Sequence, residues 1–552
     1  MLCASAQSMT DSNPTKGTTE ASTAAPNTPK SSHARAGDAA VAAASPARPQ
    51  MTPAMMSMGT NTASAPPAVD HELGAGVTAD GTTVKPSTKA LLPWLVAVAF
   101  FMESLDTTIL NTGVPTIAAA LHVAPLSMKS VLASYTLSLA VFIPISGWMA
   151  DRFGTRRVFA SAIGLFTLGS ILCGLSTDIH LLVACRILQG CGGAMMVPVG
   201  RLTLARTFEK WELLRAMSFV AIPGLIGPML GPIAGGLIVG YFHWRMIFFV
   251  NVPIGLLGLV LVYMHLPDYK RDECPPLDWL GLVLFGAGVA LLSYVLEVFG
   301  EHELRTRTVI ALLVLSVALL AGYALHATRT KFPLLNTALF KIRTFRASVS
   351  GSFFTRLGIG GVPFLLPLLY QVGLGYSPIQ SGLLIMPQAA AAMSMKLTMP
   401  KILAKFGYRS VLVSNTIILG LLLMLFATIG TNTPWWVIAL QAFCYGFFTS
   451  LQYTSMNTLV YADVNEEQTS SASSIASTMQ QMSVSFGVAI ASLTTALFVP
   501  SRDSAAPVAM VHGIHKGLLA LGVLTILSTM VFTGLKRGDG ASVSGSKHHF
   551  AG

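Results

Sequence analysis

The sequence predicts an all-α integral membrane protein, and three observations support this prediction. Hydrophobic residues make up 53% of the 552 residues and charged residues only 11%, which is far from the composition of a soluble globular chain. Long apolar runs follow one another from about residue 91 to residue 535. Lys and Arg gather in the short breaks between these runs, mainly in alternate breaks, as in proteins that cross a membrane many times.

Other classes of protein fit the composition poorly. The net charge of +11 could suggest a nucleic-acid partner, but the basic residues are dispersed and form no single patch, so we expect none. The six cysteines lack metal-ligand spacing, which predicts neither a metal site nor a disulfide framework. We find no nucleophile elbow or phosphate-binding loop, and therefore expect no cofactor and no enzyme activity.

The apolar runs predict fourteen transmembrane helices, each near the 20 residues that cross a bilayer. We place these spans at 91–113, 128–149, 158–176, 180–200, 217–239, 246–265, 277–297, 308–327, 346–370, 378–396, 409–429, 435–459, 471–498 and 516–535. The Lys and Arg bias puts both chain termini in the cytoplasm.

The two ends of the chain differ in amino-acid composition from the apolar region. Residues 1–88 are rich in Ala, Ser, Thr and Pro and contain almost no aromatic residues, which predicts a disordered cytoplasmic tail. This segment lacks the continuous apolar core of a signal peptide. Residues 536–552 are predicted to form a second disordered cytoplasmic tail.

Span one carries two acids, Glu103 and Asp106, one helical turn apart near the predicted centre of the bilayer. Two neighbouring carboxylates repel each other, and burial disfavours their charged forms. Both effects favour binding of a proton, which is what a proton-exchanging group needs. The alternative is a structural role, with Asp106 satisfied by hydrogen bonds.

The loop after span two contains Gly147, Asp151, Arg152, Gly154 and Arg156. Gly147 permits close approach of another helix, Asp151 could cap a helix or pair across the interface of two halves, and the arginines anchor the loop at the cytoplasmic surface. A basic loop that only sets the topology would explain the arginines but not the glycine and the acid.

This loop has a counterpart later in the chain. Phe153–Arg156 after span two matches Phe406–Arg409 after span ten, which indicates duplicated halves, an arrangement that places a substrate site between them. The repeat predicts two six-helix halves at 89–266 and 335–535, with an inserted helix pair at 267–334.

Span four holds Arg186 and Gln189 on one helical face. An arginine inside a membrane is costly and normally faces a partner or a wet cavity. Arg186 is therefore a candidate functional residue, the alternative being a structural bond to backbone carbonyls. Gln189 is a candidate substrate contact.

Span five carries a stripe of small residues interrupted by proline. It comprises Gly227, Pro228, Gly231, Pro232, Gly235 and Gly236. Glycines three or four residues apart share one helical face, and in lipid such a stripe lets two helices approach closely. The spacing predicts a tight packing seam, and the family resemblance given below implies that this seam blocks uncoupled leak.

The second half offers one intramembrane charge, Arg356 in span nine. Arg356 either neutralises an acid of span one or binds substrate. Gln441 and Asn457 in span twelve are further candidate substrate contacts, although such residues can also simply join helices.

Several of these segments resemble the major facilitator superfamily, and within it the 14-span drug:proton antiporter branch. The resemblance rests on Leu105–Pro115, Gly147–Arg157, Arg186–Gly193, Gly227–Gly236 and Trp244–Gly255. It implies the major facilitator fold with two extra central helices. It also implies a bacterial inner-membrane exporter of lipophilic drugs, monomeric in the bilayer, that exchanges substrate for protons with the help of the span-one acids and Arg186.

Two alternatives remain open within this fold. A passive facilitator would need no titrating acid, whereas an exporter of small organic anions or anionic metal chelates would use Arg356. The sequence also departs from a strict repeat, because Ala404 stands where the first half has Asp151, and the second half has no intramembrane acid.

Overall fold

A computed structural model describes residues 76–77, 83–84, 86–208, 210–270, 274, 276–299, 306–465, 468–498, 507–536 and 538–540. Almost all of them are helical. The exception is a two-stranded antiparallel sheet in which β1 (Gly76–Val77) pairs with β2 (Thr83–Val84). These strands and the start of the first helix lie within the predicted tail 1–88, most of which is outside the described residues.

The first half contains seven helices. They are α1 (Pro86–Ala120), α2 (Lys129–Phe153), α3 (Thr155–Leu175), α4 (Ile179–Thr207), α5 (Lys210–Tyr241), α6 (Met246–Phe249) and α7 (Asn251–His265). A short 3-10 helix, Pro125–Met128, precedes α2. Helix α4 begins where Asp178 accepts a hydrogen bond from the Leu181 N–H at 2.9 Å, which satisfies one of the free donors at a helix start.

The central pair and the second half follow. They comprise α8 (Trp279–Phe299), α9 (Thr306–Arg329), α10 (Arg343–Ile359), α11 (Val362–Leu368), α12 (Pro378–Phe426), α13 (Trp435–Leu459), α14 (Thr469–Ala496) and α15 (Pro507–Thr533). A 3-10 helix, Thr337–Lys341, precedes α10, and a π-helical turn, Leu369–Gly373, follows α11. The predicted ninth span is therefore interrupted at Gly360 and Gly361, next to Pro363.

Ten helices in the described part of the chain are long and apolar enough to cross a membrane. The other four predicted spans coincide with α5, the first part of α12, α13 and α14, which are helical. An all-helical bundle is thus confirmed, whereas the number fourteen stays a prediction.

The two loops of the sequence repeat share an unusual backbone geometry. Gly154 ends α2 with φ +96°, and Gly407 divides α12 with φ +72°. Both values lie in the region that favours glycine. At Gly154 a side chain would also overlap the carboxylate of Asp268. Each glycine allows the chain to turn sharply between two antiparallel helices.

The halves meet closely at one end of the bundle, where α1 ends and α2 begins. We call this the outer end and the opposite end, which holds the α2–α3 connection, the inner end. At the outer end Gly236 of α5 packs on the Pro378 backbone, and Gln371 Nε2 donates to the Thr112 carbonyl at 2.9 Å. Ser492 of α14 donates to the Leu126 carbonyl at 3.4 Å.

The buried apolar residues follow the same division. One cluster joins the two halves at the outer end and includes Leu110, Phe248 and Leu365; we call it the outer cluster. Toward the inner end, one cluster around Phe159 belongs to the first half and another around Met456 to the second. A further cluster around Tyr323 and Phe486 joins the inserted pair to the second half, and Leu137 of the first half packs against it.

The start of the predicted tail 536–552 is held against the second half. Asp539 accepts a hydrogen bond from Arg343 Nε at 3.0 Å and another from the Lys536 N–H at 2.8 Å. These contacts hold the turn after α15 against the start of α10. Residues 541–552 lie outside the described chain.

Candidate functional site

Asp106 of α1 lies at the centre of a buried polar cluster. Its carboxylate is 1% exposed, and Oδ2 lies 2.7 Å from Arg186 Nη1 of α4. Oδ1 accepts hydrogen bonds from Gln189 Nε2 and Asn251 Nδ2, each at 2.9 Å. Three side chains from two other helices thus satisfy a charge that burial would otherwise make costly.

A second layer of contacts fixes these partners. Arg186 Nη1 also donates to Gln189 Oε1 at 2.6 Å, and Gln189 Nε2 lies 2.7 Å from Ser170 Oγ of α3. The Arg186 guanidinium stacks on the ring of Tyr135 of α2, 4.2 Å from its centroid. Five helices, α1 to α4 and α7, therefore converge on one ion pair.

Three polar atoms around this cluster are buried without a hydrogen-bond partner in the described structure. They are Arg186 Nε, the Tyr135 hydroxyl and Asn251 Oδ1. Such atoms are costly to leave unsatisfied, so the cluster keeps hydrogen-bonding capacity that a rearranged state can use.

Glu103 has a different environment although it lies one turn from Asp106. Its side chain is only partly buried, and it forms no hydrogen bond or ion pair with the described residues. The nearest compensating charge is Arg201, whose guanidinium lies over the Phe100 ring, 5.3 Å from its centroid. One acid of the predicted pair is thus locked in an ion pair and the other is not.

The glycine stripe of α5 faces α1, the helix that carries both acids. A Cβ at Gly227 would overlap Ser104, and a Cβ at Gly231 would overlap Thr108. A Cβ at Gly235 would meet the Ile109 carbonyl oxygen. Thr108 Oγ1 lies 3.4 Å from the Gly227 carbonyl. Within the same segment Pro232 is buried, whereas Pro228 is exposed.

The loop after α2 is tied to the first half. Asp151 forms an ion pair with Arg206 of α4, a partner that lies within the first half. The Arg156 N–H donates to Asp268 Oδ1 at 3.1 Å. Arg152 is exposed, and a Cβ at Gly147 would have no described atom within 4 Å. The close approach predicted at Gly147 is therefore not seen among the described residues.

Arg356 of α10 is 2% exposed and pairs with neither Glu103 nor Asp106. Its Nε donates to Ser352 Oγ at 3.0 Å, and its guanidinium lies 3.7 Å from the ring centroid of Tyr453 of α13. Nη2 is buried without a hydrogen-bond partner among the described residues. The expectation that a span-one acid neutralises Arg356 fails for Asp106, because Arg186 occupies that carboxylate.

The remaining predicted substrate contacts differ in their exposure and in their hydrogen-bond partners. Asn457 is exposed and follows Tyr453 by one helical turn, and Gln441 is partly buried with Oε1 unpartnered. Gln441 lies twelve residues before Tyr453, about 18 Å along α13. The carboxamide of Gln189, the other predicted substrate contact, is engaged by Asp106, Arg186 and Ser170.

Two residues of the site were missed by sequence reasoning. Asn251 lies 145 residues from Asp106 in the chain, and Tyr453 is one of several aromatic residues in an apolar span. Asn251 is the first residue of α7 and is 1% exposed. The only indication of Asn251 in the sequence was the presence of an amide in an otherwise apolar stretch. Among the described residues, no group of three or more His, Cys, Asp or Glu could hold a metal ion.

Comparison with known proteins gives a consistent result. Residues 96–488 match the Major Facilitator Superfamily. The chain is 42% identical over 405 residues to the "Putative multidrug resistance protein MdtD" of Serratia proteamaculans (strain 568), covering 73% of this chain and 85% of that protein. The protein of the same name from Escherichia coli (strain SE11) is also 42% identical over 405 residues, covering 73% and 86%.

Solved structures of transporters have a similar fold. A D-xylose-proton symporter superposes with a TM-score of 0.59 at 15% identity, covering 81% of this chain and 98% of that chain. A bacterial homologue of the human lysosomal transporter Spinster, inward-facing and unoccupied, superposes with a TM-score of 0.56 at 14% identity, covering 85% and 100%. At these identities the likeness concerns the fold alone.

Proposed function

Because this chain belongs to the major facilitator superfamily, we propose that it exports small molecules across the bacterial inner membrane in exchange for protons. The protein is a multi-pass inner-membrane transporter and not an enzyme. The proton coupling, the fourteen spans, the cytoplasmic position of both termini and a monomeric state are parts of the proposal.

The observation that carries the proton coupling is the ion pair between Asp106 and Arg186, at 2.7 Å and almost fully buried. A proton on Asp106 removes the charge that compensates Arg186. Loss of one partner of a buried ion pair costs about 3–5 kcal/mol. Protonation therefore destabilises the present packing of α1 against α4 and α7 and favours a different arrangement.

Glu103 supplies the step that brings the proton to this pair. It lies on the same helix as Asp106, is partly buried, and makes no ion pair with the described residues. An acid that is not held in an ion pair can accept a proton without first breaking one. We assign proton entry to Glu103 and the conformational response to Asp106 and Arg186.

Alternating access supplies the transport step. The halves share the outer cluster but have separate clusters toward the inner end, which supports a state that is closed outside and open inside. Helix α5 contacts α1 through Gly227, Gly231 and Gly235 and contacts α12 through Gly236. A shift of α1 on protonation is thereby passed to the interface of the halves.

The substrates follow from the relatives and from one residue of this chain. The name shared by the two relatives favours a range of drugs. The second candidate is export of small organic anions or anionic metal chelates, and it is favoured by Arg356, a buried cation without an acid partner in the described chain. Such a charge is a contact for a carboxylate ligand.

Export into inverted membrane vesicles tests the proposed coupling. A panel of cationic dyes and organic anions would be offered with and without a pH gradient. We expect accumulation only with the gradient, and each transported substrate should release protons. Flux that ignores the gradient would instead identify a passive facilitator.

Arg356→Gln separates the two substrate classes. We expect this variant to insert normally and to lose binding of organic anions, measured by calorimetry on the purified protein, because no other described charge replaces the guanidinium. Arg356→Lys is the matched control and should retain part of the binding. If Arg356→Gln keeps anion transport and loses only thermal stability, Arg356 is structural and the drug-exporter interpretation stands.

A further inference from the structure

A cavity of about 780 Å³ lies at the inner end of the bundle, away from the Asp106 cluster. Its walls come from Trp148 of α2, the segment before α8, the segment between α9 and α10, and Ser471 of α14. Its volume lies within the range of about 300–1,000 Å³ that is usual for ligand pockets. An occupant would contact both halves and the inserted pair.

The cavity carries uncompensated positive charge. Lys331 and Lys341 both line it, and in the described part of the chain neither forms an ion pair or a hydrogen bond. The Lys331 ammonium lies 5.4 Å from the ring centroid of Phe332. Two cations without counter-charges in one concave site attract an anion.

The one acid among the described lining residues, Asp278, leaves positive charge in excess, because it stands against two lysines. Asp278 Oδ1 accepts a hydrogen bond from the Gly281 N–H at 2.8 Å and lies 2.7 Å from His326 Nε2. Oδ2 accepts from the Leu334 N–H at 3.1 Å. Both carboxylate oxygens of Asp278 thus bind groups of the cavity wall, and its side chain is only 4% exposed.

The helix ends locate the cavity at the membrane boundary. Helix α8 begins at Trp279, which is 65% exposed, and α9 ends at Arg329. An exposed tryptophan at the end of a membrane helix is typical of the interface between lipid and water. Basic pockets between helices at this level bind phosphate head groups.

We propose that this cavity binds a phosphate-bearing anion through Lys331 and Lys341, and that the inserted pair α8–α9 serves to build the site. The phosphate can come from an anionic phospholipid in the surrounding membrane or from a soluble phosphate ester. Either occupant bridges Trp148 of the first half and Ser471 of the second, and so stabilises the inner end in its present spacing.

The test measures the melting temperature of the purified full-length protein in detergent with phosphatidylglycerol, phosphatidylcholine or glycerol 3-phosphate added. The variant is Lys331→Gln with Lys341→Gln. The matched control is Lys401→Gln with Lys405→Gln, which removes two charges from the inner end outside the cavity. Lys405 lies 5.4 Å from the Phe406 ring centroid, as Lys331 does from Phe332.

We expect phosphatidylglycerol to raise the melting temperature of the wild type and the control by several degrees, and that of the cavity variant by less than half as much. The shift should shrink at high salt, which screens charge. Native mass spectrometry should count one retained lipid fewer on the cavity variant, a readout that does not depend on its stability.

The three added compounds distinguish the two possible sources of the bound phosphate. A shift with phosphatidylglycerol alone supports a lipid head group, and an equal shift with glycerol 3-phosphate supports a soluble ester. Equal shifts in the cavity variant and the control overturn the proposal, as does an equal shift with phosphatidylcholine.

Discussion

The Asp106 carboxylate accepts hydrogen bonds from three side chains of α4 and α7, and two of these donors are neutral amides. Asp106→Asn preserves the shape of the side chain and removes its charge. We expect the variant to insert with a lower melting temperature than the wild type, because Asn can still bond to Gln189 and Asn251 but leaves the Arg186 charge uncompensated. It should lose transport driven by a pH gradient, measured in inverted vesicles, because it cannot exchange a proton.

Asp178→Asn is the matched control for this prediction. Asp178 caps α4 at the outer end, and Asn caps a helix about as well as Asp, so transport should be retained. Proton-coupled export by Asp106→Asn at the wild-type level would remove Asp106 from the mechanism.

Sequence reasoning identified the charged members of this cluster but not the way they pair. Glu103, Asp106 and Arg186 stand out because any charge in lipid is costly. The pairing of Asp106 with Arg186 joins residues 80 positions apart, and helical spacing relates only neighbours within a helix. Asn251 stayed unassigned because it is far from Asp106 in the sequence, and because a neutral amide in lipid costs less free energy than a charge and so does not stand out.

The glycine stripe of α5 packs so closely on α1 that a substitution within it should be poorly tolerated. Gly231→Ala places a carbon where Thr108 and the Ile109 backbone already lie. Overpacking of this kind costs about 1–3 kcal/mol. We expect a lower melting temperature and slower transport or leak of protons, measured in reconstituted vesicles.

Gly224→Ala is the control on the same helix, because its Cβ would meet only Phe100, at 4.0 Å. It should behave like the wild type. Normal, tightly coupled transport by Gly231→Ala would show that the contact between α5 and α1 yields easily, and the seam would then have no role in preventing leak.

The α8–α9 pair depends on Asp278 at its inner end. Burial acts to raise the pKa of Asp278, but hydrogen bonds from His326 and from the backbone N–H groups of Gly281 and Leu334 hold the pKa below its ordinary value. Ionised Asp278 therefore contributes stability above its ordinary pKa of about 4. That contribution is lost as the pH falls through the lower pKa of the folded state.

Asp278→Asn should therefore melt at a lower temperature than the wild type at pH 7.5, and the difference should narrow only below about pH 4. Melting curves from pH 7.5 to 3.5 measure this. Asp463→Asn, which alters an exposed acid at the inner end, serves as the control. A difference that is constant across this range would mean that the charge of Asp278 is not what holds the pair.

The helices themselves were largely predictable. A chain in lipid must satisfy its backbone hydrogen bonds internally, and an apolar run of about 20 residues does so as a helix that crosses the bilayer. The interruption between α10 and α11 was not predicted. Gly360 and Gly361 lie at the break, but Gly and Pro are tolerated within other membrane helices, so composition alone could not locate it.

The two halves contact each other at the outer end, and this contact can be tested by cross-linking. Ser485 of α14 donates to the Ala133 carbonyl of α2 at 3.2 Å. In a variant without its native cysteines, Ala133→Cys with Ser485→Cys should form a disulfide on oxidation, seen as a change in gel mobility. Oxidation should stop transport and reduction should restore it.

The two single-cysteine variants control for damage by the oxidant and should transport under all conditions. Full transport by the oxidised double variant, with the disulfide verified by mass spectrometry, would mean that α2 and α14 do not separate during the cycle.

The outer cluster also sets how transport responds to temperature. In the proposed transport cycle, release of substrate on the outer side requires the halves to part there and to wet some of the apolar residues around Leu110, Phe248 and Leu365. Hydration of apolar surface increases the heat capacity. The opening step then has a positive activation heat capacity, so the activation enthalpy of turnover grows on warming and the Eyring plot of export is curved.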